Sequence, residues 1–218
     1  MIRAFIFDLD GVIVDTAKYH YLAWKNLCDK LNLKFDIQDN ELLKGVSRTR
    51  SFEIILELNN LRMSSEQIDK YCSEKNDIYL EYIDRLTEDE ILPGAKEFII
   101  KAKESGIRIA LGSASKNSLR ILNRLNIIDL FDAVIDGTKV SAAKPDPEVF
   151  LKACEALNVK PEESIVFEDS SAGIVAGHTG KMKTVGVSNN EIRNHCDYFI
   201  DGFIGIGPKV LIKKVIGE

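Results

Sequence analysis

Two carboxylates two residues apart, Asp8 and Asp10, follow directly on the apolar run at 4–7 and are followed at once by Gly11. A buried strand of a parallel sheet that ends in such a pair projects it into the crevice outside the strand's carboxyl end, where open sheets bind ligands. Glycine next to the pair allows close backbone approach. A second apolar run at 165–167 leads straight into Glu168 and Asp169, then a Ser-Ser-Ala-Gly turn. Adjacent acids facing one crevice repel each other unless a cation lies between them. Magnesium, a hard cation that favours carboxylate oxygen, suits that donor set. Taken singly, each segment has an ordinary reading: an aspartate capping a turn, or Glu-Asp capping a helix. Together they point to metal-assisted chemistry.

Two further segments add positive charge and hydroxyls. In Leu111-Gly112-Ser113-Ala114-Ser115-Lys116-Asn117, hydroxyls and a lysine stand between a strand and a helix start, where backbone N–H groups attract anions. Simple capping by Ser or Asn is the other reading there. In Ala143-Lys144-Pro145-Asp146-Pro147, a lysine is held in a proline-flanked loop before a helix. A lone Lys-Pro says little by itself.

These groups need elements to position them, and the rest of the chain supplies a pattern. Runs at 4–7, 107–111, 133–135, 165–167, 184–187 and 198–200 are apolar without alternation, as expected of strands covered on both faces by helices. Between them, 95–105, 118–126, 146–158 and 172–181 carry helical spacing. Strand and helix alternating in this way predict an α/β fold, a Rossmann-like doubly wound parallel sheet. The stretch 16–87 lacks a strand pattern and carries amphipathic segments near 17–31, 49–60 and 64–85. It is expected as an inserted helical domain, with 1–15 and 88–218 forming the sheet domain. Leu92-Pro93-Gly94 marks the return to the sheet.

Composition excludes some function classes. A net charge of −5 spread along 218 residues, with no run of one sign, argues against nucleic acid or a membrane surface as partner. The apolar stretch before Asp8 is too short for a signal peptide, and no window reaches the length of a membrane span. Cys28, Cys72, Cys154 and Cys196 are scattered without C-x-x-C spacing, so they are expected as reduced thiols in a cytoplasmic protein. His178 and His195 show no acid or cysteine constellation in sequence and receive no role.

In order and roughly in spacing, the four segments resemble the motif set of the haloacid dehalogenase superfamily, across nearly the whole chain. The resemblance implies that Asp8 is a nucleophile forming an aspartyl phosphate and that Asp10 is the general acid/base. It implies magnesium held by Asp8, the Asp10 backbone carbonyl, and Asp169 with Glu168. Ser113 and Lys144 would hold the transferring phosphoryl oxygens, and the insertion at 16–87 corresponds to the helical cap. The presence of the second aspartate disfavours dehalogenase activity. Within the superfamily, Leu43-Lys44-Gly45-Val46-Ser47-Arg48 resembles the cap loop of the β-phosphoglucomutases, as do Thr16, His20, Trp24, Lys75-Asn76 and Ser113-Ala114-Ser115-Lys116-Asn117. That likeness implies a small sugar phosphate as partner, bound also through Ser51, and a monomer. A mutase must hold a second phosphate, for which Arg48 suits bidentate contacts. A sugar-phosphate phosphatase of the same superfamily is the alternative. One local departure stands out. In Ala172–Met182 a lysine, Lys181, occupies the place where glycine ends the helix in relatives, so the helix is expected either to stop early or to force Lys181 into a left-handed conformation.

Overall fold

The computed structural model describes residues 1–43 and 47–218. The chain divides into two compact units, residues 1–15 with 86–218, and residues 16–85. In the first unit lie β1 (Ala4–Phe7), then, beyond the second unit, α5 (Ala95–Glu104), β2 (Arg108–Gly112), α6 (Ser118–Arg124), β3 (Ala133–Ile135), α7 (Glu148–Ala156), β4 (Ser164–Glu168), α8 (Ser171–Thr179), β5 (Lys183–Val187), β6 (Tyr198–Ile200) and α9 (Pro208–Ile216). The second unit is helical among its described residues: α1 (Ala17–Lys30), α2 (Ile37–Glu41), α3 (Arg48–Leu58) and α4 (Ser65–Ile83).

All six strands pair in parallel, in the order β3-β2-β1-β4-β5-β6. This is the Rossmann-like sheet that the sequence predicts. The order reverses between β1 and β4, where Phe7 lies in register with Phe167. Open α/β sheets bind ligands at such a switch point. Here it places the residues after Phe7 beside those after Phe167.

The apolar runs follow from burial on both faces. Ala4 and Ile6 of β1, Ala110, Ile135 and Val166 pack against Val149, Phe150 and Ala153 of α7, Leu157 just beyond it, and Ala176 of α8. On the opposite face, Phe5 stacks on Phe98 of α5 at 5.8 Å and Phe7 on Phe167 at 4.5 Å. Phe203 closes that cluster, 5.0 Å from Phe98. Each buried phenyl ring contributes roughly 1.5–3 kcal/mol, and offset or edge-on pairing adds about 0.5–1.5 kcal/mol per pair. The strand end that carries Asp8 is therefore anchored on a stiff aromatic floor.

Two elements have no counterpart in the sequence reading, the short α2 and the C-terminal α9. Helix α8 ends as the lysine at position 181 requires. It stops at Thr179, and Lys181 takes φ +62°. Lys181 N–H donates to the His178 carbonyl (2.9 Å) and Met182 N–H to the Gly177 carbonyl (2.9 Å). This is a Schellman closure with lysine where glycine is favoured. Lys181→Gly is expected to relieve the left-handed strain, less the entropy that glycine adds to the unfolded chain. The net gain is about 0.5–1 kcal/mol, or roughly 2 °C in Tm by calorimetry. A lower Tm would refute it. Gly177 is required by packing, because a Cβ there would lie 2.7 Å from the Thr184 methyl group on β5. His178 does have an acidic neighbour. Its Nε2 lies 3.1 Å from Asp197 Oδ2 and 2.9 Å from Thr184 Oγ1. Asp197 is distant in sequence and comes near only because β5 and β6 pair.

Candidate active site

The turn after β1 is held from within. Leu9, Val12, Ile13 and Val14 are fully buried, and Leu9 C=O accepts from the Ile13 and Val14 N–H groups. Asp8 N–H donates to Phe167 C=O (2.9 Å), which fixes the carboxylate at the mouth of the β1–β4 switch. Gly11 takes φ +76°, and a Cβ on it would fall 2.1 Å from Asp169 Oδ2. Gly173 has the same role against Glu168, whose side-chain carboxyl carbon would be 1.9 Å from an added Cβ. Both glycines make room for acids.

Lys144 donates to Asp8 Oδ1 at 2.5 Å and to Glu168 Oε1, while its ammonium sits 4.7 Å from the centre of the Phe150 ring. The other Glu168 oxygen accepts from Asp169 N–H (3.0 Å), Ser170 N–H (2.9 Å) and Ser170 Oγ (2.8 Å). Ser170 also caps α8 by accepting from Gly173 N–H. Asn189 Nδ2 donates to the Asp169 carbonyl at 2.8 Å. Neither Ser170 nor Asn189 received a role from sequence. Serine three residues before Gly173 is a readable capping signal, whereas nothing local to Asn189 marks it.

Charge in this cluster is unevenly compensated. Burial raises the Asp8 pKa well above the usual carboxylate value, and Glu168 and Asp10 add to it against the attraction of Lys144. Asp169 is pushed up to about 7, first by burial and then by Glu168 and Asp10. Burial disfavours the Lys144 ammonium, but Asp8 and Glu168 outweigh it and hold its pKa above the ordinary lysine value. One ammonium does not neutralise these acids. Asp8, Glu168 and Asp169 each offer an oxygen within 4.8 Å of the others. A donor set of carboxylates whose ionisation is opposed by their mutual repulsion fits a hard divalent cation.

The segment after β2 lies in the same unit. Ser113 is buried, and its N–H donates to Ile135 C=O (3.0 Å), extending the β2–β3 ladder by one residue. Ser113 Oγ accepts from Ser115 N–H (3.1 Å) and Ser115 Oγ from Asn117 N–H (3.3 Å), so the hydroxyls shape the loop. Ala114 and Lys116 are exposed.

The helical unit gathers a second group of the expected residues. Lys75 is 2% exposed, and its Nζ lies 2.8 Å from His20 Nδ1, 5.0 Å from the Trp24 ring centre and 4.9 Å from that of Tyr79. Lys⁺ offers only donors, so Nδ1 of His20 accepts and the imidazole proton resides on Nε2. Burial, then the Arg48 charge, lowers the Lys75 pKa to about 7. Burial, then the charges of Lys75 and Arg48, lower that of His20, so its ring is neutral at pH 7. Trp24 belongs to the core of this unit, stacked on Phe52 at 5.7 Å. Tyr79 stacks on His20 at 4.2 Å and donates to Thr16 Oγ1 at 3.1 Å. Its spacing of four from Lys75 was a signal for it that sequence reading passed over. Arg48 donates to Asn76 Oδ1 at 2.7 Å. Ser51 is buried and gives its hydroxyl hydrogen to Ser47 C=O (3.0 Å). Lys44, Gly45 and Val46 lie outside the described residues.

A model of the haloacid dehalogenase-like hydrolases matches residues 5–187. The chain belongs to that family. Among haloacid dehalogenase-like proteins, it is 41% identical over 191 residues to β-phosphoglucomutase of Bacillus subtilis, which spans 87% of this chain and 84% of the relative. A crystal structure of β-phosphoglucomutase from Clostridium difficile matches with a TM-score of 0.90 at 42% identity, over 100% of this chain and 98% of that one. The phosphorylated carbohydrates phosphatase of Thermotoga maritima is 30% identical over 186 residues, 84% of this chain and 83% of the relative. Haloacid dehalogenase-like enzymes generally use a divalent metal, which agrees with the acidic cluster described above. The chain is thus an enzyme of phosphoryl transfer or hydrolysis. Among the described residues no helix is long and apolar enough to cross a membrane.

Proposed function

We propose that the chain is a β-phosphoglucomutase, interconverting β-D-glucose 1-phosphate and glucose 6-phosphate through phosphorylated Asp8 and β-glucose 1,6-bisphosphate. The observation that carries this reading over the phosphatase alternative is the degree of likeness. Identity reaches 41–42% with the two mutases across most of both chains, against 30% with the phosphatase. The geometry of each unit agrees with it. The Asp8 carboxylate sits beside the Lys144 ammonium in the sheet unit, and Arg48, Lys75 and His20 are assembled as a group in the helical unit.

In this reading Asp8 Oδ attacks the phosphorus of the bisphosphate, and the bond from phosphorus to the sugar oxygen breaks. Asp10 gives that oxygen its proton. In the reverse sense Asp10 takes the proton of the accepting hydroxyl as phosphate leaves Asp8. Lys144, held by Asp8 and Glu168, neutralises charge on the transferring oxygens, with Ser113 as a further donor. Magnesium, held by Asp8, Asp169, the Asp10 carbonyl and Glu168, would offset repulsion between the carboxylate and the incoming dianion. Thr16, His20, Trp24, Lys75, Arg48, Ser51 and the 44–46 segment are proposed as the helical unit's contribution to sugar-phosphate binding. Ala114, Ser115, Lys116 and Asn117 are proposed as that of the sheet unit.

Purified protein with magnesium and a trace of the bisphosphate is expected to form glucose 6-phosphate from β-glucose 1-phosphate, read by coupling to its oxidation. The α-anomer should turn over far more slowly. Steady release of inorganic phosphate with no glucose 6-phosphate and no need for bisphosphate would establish the phosphatase instead.

A further inference from the structure

We infer that Gly137, in the turn after β3, is a positioning residue that sets where the 113–117 loop stands and thereby how tightly the substrate is held. A Cβ on Gly137 would lie 2.1 Å from the Ala114 carbonyl oxygen, 3.0 Å from its carbonyl carbon and 3.2 Å from Lys116 Cγ. Those first two atoms are backbone, so the loop itself must give way. Gly137 is absent from the positions with positive φ, so glycine is needed here for space alone. Its N–H donates to Ser115 C=O at 3.2 Å. The turn that presents it is itself pinned. Asp136 is 2% exposed, and its Oδ1 accepts from Thr138 N–H (2.9 Å) and Thr138 Oγ1 (2.5 Å).

The consequence is selective. Ser113 is tied into the ladder through Ile135 C=O, so a side chain at 137 must displace Ala114, Ser115 and Lys116 rather than Ser113. The three atoms nearest a Cβ at position 137 belong to Ala114 and Lys116, and none to Asp8 or Lys144. The inference rests on the proposed role of the 113–117 loop in holding the sugar phosphate. Misplacement of a binding group by an ångström is enough for an order-of-magnitude loss or more.

Gly137→Ala is expected to raise KM for β-glucose 1-phosphate by about 10-fold or more. Gly137→Ser should raise it further. Labelling of Asp8 by acetyl phosphate, a donor with a single phosphate and no sugar, should stay within about threefold of the parent by intact mass. Lys116→Ala is the control for the loop itself. If Lys116→Ala raises KM and Gly137→Ala does not, the inference fails while the reading of the loop stands. If neither changes KM, the reading of the loop fails and takes the inference with it. If KM and Asp8 labelling deteriorate together, Gly137 is merely structural. Should Gly137→Ala not fold, Thr138→Val carries the test, since it loosens the same turn without adding bulk against Ala114. It should then show the same split between KM and labelling at smaller size; no split overturns the inference.

Discussion

Asp8→Asn is expected to lower turnover by at least about 10⁴-fold while leaving the metal-free protein as stable as its parent or more stable at pH 8. The amide oxygen can still accept the Lys144 bond made now by Asp8 Oδ1, so the geometry survives. An amide does not attack phosphorus, so phosphoryl transfer does not. Stability follows from the raised Asp8 pKa. Burial, Glu168 and Asp10 together oppose its ionisation more than Lys144 favours it. Below the unfolded carboxylate value of about 4, Asp8 is protonated in both states and contributes no charge penalty. As pH rises from there toward the folded value, the unfolded chain ionises first and the folded state loses relative stability. Asp169, raised to about 7, has the same sign over pH 4–7. The variant lacks the Asp8 share of this loss. Breaking a buried ion pair often costs 3–5 kcal/mol, but here Lys144 keeps Glu168 as partner. Urea unfolding with chelator at pH 5 and pH 8, alongside the coupled assay, checks both halves. Activity within tenfold of the parent would remove Asp8 as nucleophile. A variant weaker than the parent chiefly at pH 8 would mean that Lys144 dominates the field at Asp8.

The sheet and the acids were legible because the relevant signals are local. A strand buried on both faces reads as an unbroken apolar run, and the clustered carboxylates follow immediately on two such runs. β2 is displaced by one residue from its expected span because Gly112 stays in the strand, where a Cβ would lie 2.8 Å from the Phe150 ring. α9 was missed although Gly207-Pro208 before it and Gly217 after it are ordinary boundary signals. What could not be read was set by tertiary proximity. Nothing near Gly137 in sequence points to Ala114. Nothing near Lys75 says that its ammonium is enclosed by Trp24, fifty-one positions earlier, and by Tyr79. Motif resemblance could nominate Lys75 and His20 as residues of interest, but only packing shows that the Lys75 ammonium is buried against the His20 ring with no carboxylate among its described partners.

That pair supports the second large effect. Lys75→Met is expected to stabilise the helical unit by about 1–4 kcal/mol at pH 7 and to reduce kcat/KM by roughly 10²-fold. The partners described for Lys75 are an imidazole and two aromatic rings, none of them anionic. A pKa moved from 10.5 to about 7 corresponds to a penalty of about 5 kcal/mol on the charged form. Attraction to two ring faces returns about 0.5–2 kcal/mol each, which leaves the smaller net figure. Methionine matches lysine in length and fills irregular apolar space well. Below pH 7 the lysine is protonated in both states, and the folded protein bears the full penalty. From about 7 to 10.5 the folded chain has lost its proton while the unfolded chain retains it, so parent stability rises with pH. The advantage of the variant should therefore be largest at pH 7 and below, and should fade toward pH 10. Trp24 is the single tryptophan of the chain and lies in the core of the helical unit, so its fluorescence reports the unfolding of that unit directly. A variant less stable than its parent at pH 7 would mean that the unit favours the ammonium after all. Retention of kcat/KM within threefold would mean that a cation buried at a stability cost is not kept there for the substrate, and its place in the proposed binding group would be lost.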